Sequence, residues 1–285
     1  MHFWEAVLDG TVDTLKLVPF LFVTYLLMEY IEHRTSDRTR MMIRRADRFG
    51  PLPGGLLGIV PQCGFSAAAA GLYAGRVITA GTLIAVFLST SDEMLPIFLS
   101  NRVQAGLIIR ILLTKAVYGV IAGFLVDFLF RKLNVRRIRE GIHGMCEADH
   151  CHCDEGGILP AAIRHTLSIV LFLFIFTVLL NVLLEAVGTG NMDKLLLNRP
   201  VIGQMLAALI GLIPNCAASV AITTLYLEGA MSAGAMMAGL MAGAGVGILV
   251  LARSNRSRRE TAQIIGILYV TGVIGGLLTE WLHLL

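Results

Sequence analysis

The amino-acid sequence predicts an all-α polytopic membrane protein built from two inverted-topology repeats with broken or re-entrant helices, about 8–10 membrane segments in all. Three observations carry this expectation. The 285 residues are 56% hydrophobic and only 15% charged, with a mean hydropathy of +0.75, which leaves too little polar surface to enclose a soluble core. Apolar stretches long enough to cross a hydrocarbon layer as helices, roughly 20 residues, run over 15–31, 105–130, 166–187 and 261–281. Finally, Pro61-Gln62-Cys63-Gly64-Phe65-Ser66 returns 153 residues later as Pro214-Asn215-Cys216-Ala217-Ala218-Ser219.

Held at that offset without a gap, Leu72-Tyr73 falls on Leu225-Tyr226, Ala80-Gly81 on Ala233-Gly234, Gly119 on Gly272 and Gly123 on Gly276. Thr24, Leu26, Leu27 and Glu32 fall likewise on Thr177, Leu179, Leu180 and Glu185. The chain is one module used twice, and internal repeats of helices interrupted by Pro and Gly are a signature of secondary transporters. The expected domains are a first transmembrane repeat over 1–130, a cytoplasmic Cys/His-containing linker over 131–163 and a second transmembrane repeat over 164–285.

In chain order, the first apolar segment follows an acidic start (Glu5, Asp9, Asp13), so no cleavable leader is read there. Arginine-rich segments at 34–48, 131–139 and 253–259 are assigned to the cytoplasm by the positive-inside rule. A loop that is basic in one repeat is nearly neutral in the other, as oppositely inserted copies require. Both termini are then expected outside a prokaryotic cytoplasmic membrane. Between 48 and 100 the crossing number must be odd, which suits three short crossings or a re-entrant hairpin with its tip at 61–65 followed by a spanning helix over 77–100 broken around 89–93. The second repeat has its tip at 214–218 and its break at 243–247. Arginines beside apolar segments are topology signals, and no nucleic-acid partner is read from the net charge of +3.

Broken helices leave backbone groups that lipid cannot satisfy, so such breaks persist where protein or a polar cavity surrounds them. At each tip a Cys and a Ser open the following helix arm, where unbonded N–H groups and the helix dipole favour an anionic species such as a thiolate. The candidate substrate-binding residues are therefore Gln62, Cys63 and Ser66 with Asn215, Cys216 and Ser219, joined by Ser89 and Ser91 of the first break. Asp92 and Glu93 follow these serines inside an apolar segment, while the second repeat has only Gly243-Ala244-Gly245 and Gly247 there. An intramembrane carboxylate is costly to insert, and burial raises its pKa, which suits proton coupling. Lys115, in the next helix, is the expected partner of this acidic pair. Cys63 and Cys216 are expected to meet across a pseudo-two-fold axis, and with Asp92 and Glu93 they form a candidate metal set. Cys146, His150, Cys151, His152 and Cys153 in the linker are candidate accessory metal ligands, although their spacing matches no zinc finger.

The motif 61–66, together with Gly81-Thr82-Leu83 and the run from Phe87 to Pro96, resembles the family of ten-helix prokaryotic permeases labelled arsenic efflux proteins or manganese transporters. Pro214-Asn215-Cys216 and 243–247 resemble its second half, and the resemblance covers nearly the whole chain. It implies export of a metal or metalloid. Arsenite suits the thiols, whereas manganese suits the carboxylates, hydroxyls and carbonyls, and the sequence carries both sets. No ATP-binding motif occurs, so an ion gradient, of protons, is the expected drive. The partners read from the chain are the lipid bilayer, the metal or metalloid and protons. No cofactor is expected, a bound metal being substrate, and a homo-oligomer is compatible with the sequence. A transporter of a small sulfur-containing anion is the alternative. An intramembrane enzyme is a further one, against which stand the lack of hydrolase motifs and of any mid-membrane histidine.

Overall fold

The computed structural model describes residues 11–12, 14–15, 18–19, 21–27, 49–60, 63–91, 94–132, 158–187, 201–255 and 257–284, and no strand occurs among them. After a helical stretch at 21–27, the first half contains α1 (Pro51–Leu57), α2 (Cys63–Ala74), α3 (Ala80–Ser89), α4 (Met94–Ser100) and α5 (Ala105–Lys132). The second half contains α6 (Ile158–Val187), α7 (Ile202–Gly211), α8 (Cys216–Leu227), α9 (Ala233–Ala242), α10 (Gly247–Ser254) and α11 (Arg258–Trp281). The 153-residue offset carries α2 onto α8 and α3 onto α9 at both ends, and the start of α5 onto the start of α11. Helix α6 begins at Ile158, a few residues inside the segment the sequence reading assigned to the linker.

The long elements are apolar where they face outward. Ile109, Leu113, Val117, Ile121, Phe124, Leu125 and Phe128 form an exposed stripe on α5, and Leu159, Ile163, Leu167, Leu171, Ile175 and Leu179 form one on α6 at four-residue spacing. Four helical stretches among the described residues, Ala80–Ser100, Ala105–Lys132, Ala233–Ser254 and Arg258–Trp281, are long and apolar enough to cross a membrane. Helices α1, α2, α7 and α8, of 7, 12, 10 and 12 residues, are each too short to do so.

The core is centred on α3 and α9. Every residue of α3 is buried, and α9 is buried from Gly234 to Ala242. Each packs along the long helix of its own half, α5 or α11, through paired glycines. A Cβ at Gly123 would sit 2.5 Å from the Gly81 carbonyl oxygen, and one at Gly234 would sit 2.8 Å from that of Gly276, so only hydrogen fits at these crossings.

The same contact is locked by the same chemistry in both halves. Thr79 caps α3 by accepting from Thr82 N at 3.1 Å, and Ser232 caps α9 by accepting from Ala235 N at 3.2 Å. A carboxylate from the long helix then takes up a remaining N-terminal donor. Asp127 accepts from Gly81 N at 2.9 Å and from Thr79 Oγ1 at 2.7 Å; Glu280 accepts from Gly234 N at 3.0 Å and from Ser232 Oγ at 2.8 Å. Positions 127 and 280 stand at the repeat offset, so the duplication extends to individual hydrogen bonds.

Between the halves the contacts are exchanged. Helix α2 packs on α10 and α8 packs on α4, while α3 touches α9 directly. Tyr118 donates to the carbonyl of Thr271, its own counterpart, at 2.6 Å.

Since Asp127 and Glu280 fill equivalent roles, Asp127→Ala and Glu280→Ala should each destabilise the protein by about 1–3 kcal/mol, the cost of orphaning buried donors. The reading is the thermal-unfolding midpoint in detergent, with Gly106→Ala, where a Cβ meets nothing within 4 Å, as the unchanged control. A loss at one position alone would show that the two caps are not equivalent.

Candidate functional site

The two central helices stop short for different local reasons. In α3, Ser89 Oγ donates to the carbonyls of Ala85 (2.7 Å) and Val86 (3.0 Å), and Thr90 Oγ1 donates to Val86 at 2.7 Å. Hydroxyls that bond back to the preceding turn satisfy carbonyls and bend a helix, and Thr90 then turns to extended backbone (φ −60°, ψ 132°). Ser91, also buried, bonds back to the Ser89 carbonyl at 3.3 Å. In α9 the stop is made by glycine. Gly243 leaves the helix at ψ 85°, and Gly245 adopts a left-handed φ of 51° that a side chain would strain.

Against these breaks lie the starts of the short helices of the other half. Asn215 caps α8 by accepting from Ala217 N at 3.1 Å, so Cys216 and Ser219 sit in the first turn. Asn215 is buried and Cys216 part-buried, while Ser219 Oγ turns back to the Cys216 carbonyl at 2.8 Å. On the other side, a Cβ at Gly247, the first residue of α10, would lie 2.9 Å from the Ser66 carbonyl oxygen. The first turn of α2 therefore abuts the α9–α10 break. Ser66 is wholly buried there.

Where α8 meets the first break, a cavity of about 20 Å³ opens between Thr90, Ser91, Asn215, Cys216, Ser219 and Gly243. That is room for one water or one bare ion. Its lining joins both halves and includes hydroxyl, amide and thiol residues beside glycines. Lys115 of α5 reaches two residues of that lining: its side chain is fully buried, and Nζ donates to the carbonyls of Thr90 and, at 3.0 Å, Leu240. Both of those residues also line the cavity.

The structure thus brings Ser91, Asn215, Cys216 and Ser219 together, with Lys115 bonded to two neighbouring carbonyls, while the Ser89 hydroxyl bonds back into α3 outside the cavity lining. Ser66 lies across the second break. Gln62, Asp92 and Glu93, the side chain of Cys63, and the linker residues Cys146, His150, Cys151, His152 and Cys153 lie outside the described residues. Among the described residues no group of three or more His, Cys, Asp or Glu side chains could hold a metal ion.

Sequence reasoning missed two further groups. One is the Asp127/Glu280 pair, for which the signal was present, acidic residues at the repeat offset opposite Thr79 and Ser232. The other is a cross-half ion pair. Arg76, after α2, donates to Glu260 of α11 through both terminal nitrogens at 2.6 and 2.8 Å, and Tyr73 donates to the same carboxylate. The hydrogen bonds to Glu260 hold the Arg76 guanidinium above its usual pKa against the opposing effect of partial burial. Arg76 adopts φ 60°, a conformation that its counterpart Gly229 (φ 76°) adopts without strain. The counterpart of Glu260 is Leu107, and on that side Tyr226 instead meets the ring of Phe98 at 6.2 Å.

A family described as "Putative, 10TM heavy-metal exporter" matches residues 4–190 and 166–284 of the chain. The chain belongs to that family. It is an integral membrane protein, in keeping with the apolar outer faces and the four long apolar helices. Neither the comparison with curated proteins nor that with solved structures returned a match.

Proposed function

We propose that this member of the heavy-metal exporter family is a secondary-active transporter that moves a soft or borderline metal ion, or arsenite, out of the cell through the cavity between its two halves. The observation that carries the reading is the cavity itself. A cysteine, three hydroxyl residues and an asparagine line a space the size of one ion, where the helix arm of one half meets the helix break of the other. Cys216, Asn215, Ser219 and Ser91 act as substrate-binding groups, with Cys63, Gln62, Ser66 and Ser89 as the first half's contribution.

The halves are read as inverted, with α1–α2 and α7–α8 as re-entrant hairpins entering from opposite faces. Three contacts support this. The Arg76–Glu260 pair ties the α2–α3 turn to the start of α11, next to the basic 253–259 block. The Tyr226–Phe98 contact joins the end of α8 to α4 beside the 100–106 turn, whose single basic residue is Arg102. Tyr118 and Thr271 meet near the middles of α5 and α11, as a pseudo-two-fold axis in the membrane plane requires. The basic segments are then cytoplasmic and both termini outside, in the cytoplasmic membrane. Labelling of single cysteines from either side tests this orientation, and a C-terminus reached only from the cytoplasm would exclude an inverted arrangement.

Purified protein in liposomes should move at least one of manganese, zinc, cadmium and arsenite, and Cys63→Ser and Cys216→Ser should each slow a thiophilic substrate by about tenfold or more while the protein stays monodisperse. Flux of thiosulfate alone would replace the metal with a sulfur anion. Full activity in the double variant would leave the thiols as packing groups.

Asp92 and Glu93 are assigned the coupling role with Lys115, because desolvation raises a carboxyl pKa and a nearby ammonium lowers it, so a change of their distance alters proton affinity. Asp92→Asn should abolish uphill transport driven by a pH gradient while still permitting substrate exchange at equal pH, with Glu93 holding the ligand. Uphill transport by the wild type without any proton movement would remove proton coupling.

A further inference from the structure

The most unusual charge among the described residues is Lys115. It lies in the interior of a 28-residue apolar helix, fully buried, where an ammonium is costly to place. The repeat does not need it there. Its counterpart is Leu268, also fully buried, so an aliphatic side chain satisfies the packing at this position of the module.

Two acceptors of the ammonium are equally specific. The Thr90 carbonyl stands just beyond the end of α3, and the Leu240 carbonyl belongs to the last turn of α9, where Ala244 N bonds to Ala242 instead of closing a helical bond to Leu240. The Leu240 carbonyl is one that a broken helix leaves without its usual intrahelical donor, and both carbonyls stand at the negative ends of helix dipoles. They come from different halves and flank the ion-sized cavity. Such carbonyls are ordinary cation ligands, so the ammonium holds a position a metal ion would otherwise claim.

We propose that Lys115 is a tethered stand-in for the cargo: when no metal is bound, its ammonium bridges the two halves through Thr90 and Leu240, and this bridge lets the empty transporter reset. The proposal rests on the transporter reading above and deepens it. A metal entering the cavity displaces the ammonium from the two carbonyls, and its departure lets the ammonium return. Lys115 is on this account a positioning residue, needed on the empty leg of the cycle and dispensable on the loaded leg.

Exchange and net flux separate these legs. Wild-type protein, Lys115→Met and Lys115→Arg are reconstituted in liposomes loaded with cadmium, at equal pH on both sides. Exchange of labelled for unlabelled cadmium at equal concentrations uses only the loaded leg; net efflux into cadmium-free medium uses both. Lys115→Met should keep exchange within about twofold of wild type and lose net efflux by at least about tenfold, the scale set by losing a charge-assisted hydrogen bond. Lys115→Arg, which keeps charge and donors, should recover part of the net efflux. Wild-type net efflux in Lys115→Met, or equal loss of both modes in a monodisperse protein, overturns the proposal. Should Lys115→Met fail to fold, Lys115→Leu, which installs the second half's residue, takes its place; failure of both to fold would make Lys115 a structural cross-link and end the proposal. Absence of cadmium movement by the wild type in either mode, with another substrate of the panel moved, defeats the cadmium reading, and the same two modes are then run with that substrate.

Discussion

Two helices that stop inside an apolar core leave main-chain carbonyls with no water to turn to, and most of this structure can be read as the ways those groups are satisfied. At the first break the side chains of Ser89 and Thr90 bond back to the preceding turn, and at the second the freedom of Gly243 and Gly245 lets the backbone bond to itself. The carbonyls of Thr90 and Leu240 accept from Lys115. The breaks stay buried because the short helices α2 and α8 pack over them, each from the opposite half. An unbroken helix at either position would remove both the need for these partners and the cavity.

The duplicated features and the unmatched ones have different jobs. Asp127 and Glu280, the capping hydroxyls of Thr79 and Ser232, and the glycine pairs 81/123 and 234/276 recur in both halves and hold each central helix against its long neighbour. Close helix approach and buried polar bonds replace the hydrophobic drive that lipid-facing surfaces cannot supply. What does not recur is concentrated at the centre and at one side of the molecule: Lys115 against Leu268, Thr90-Ser91 against Gly243-Ala244, and Arg76 with Glu260 against Gly229 and Leu107. The scaffold is therefore duplicated, while the contacts at the centre are particular to one half.

How much of this was legible in the chain follows from the physics of each feature. Composition and the apolar segments determined a membrane protein, because hydrocarbon thickness fixes helix length whatever the packing. The Pro-x-Cys recurrence determined a duplicated module, and the polar run at 89–91 and glycines at 243–247 marked the breaks, because local backbone and hydroxyl chemistry ends a helix without tertiary help. Only the tertiary structure decided that Cys216 and Ser219 share a cavity with Thr90 and Ser91, more than 120 residues earlier, and that Lys115 donates to the carbonyls of Thr90 and Leu240. Main-chain oxygens are the same in every residue, so no spacing of side-chain letters can announce them as ligands. They become ligands when two helices end facing each other, and that depends on how the halves pack.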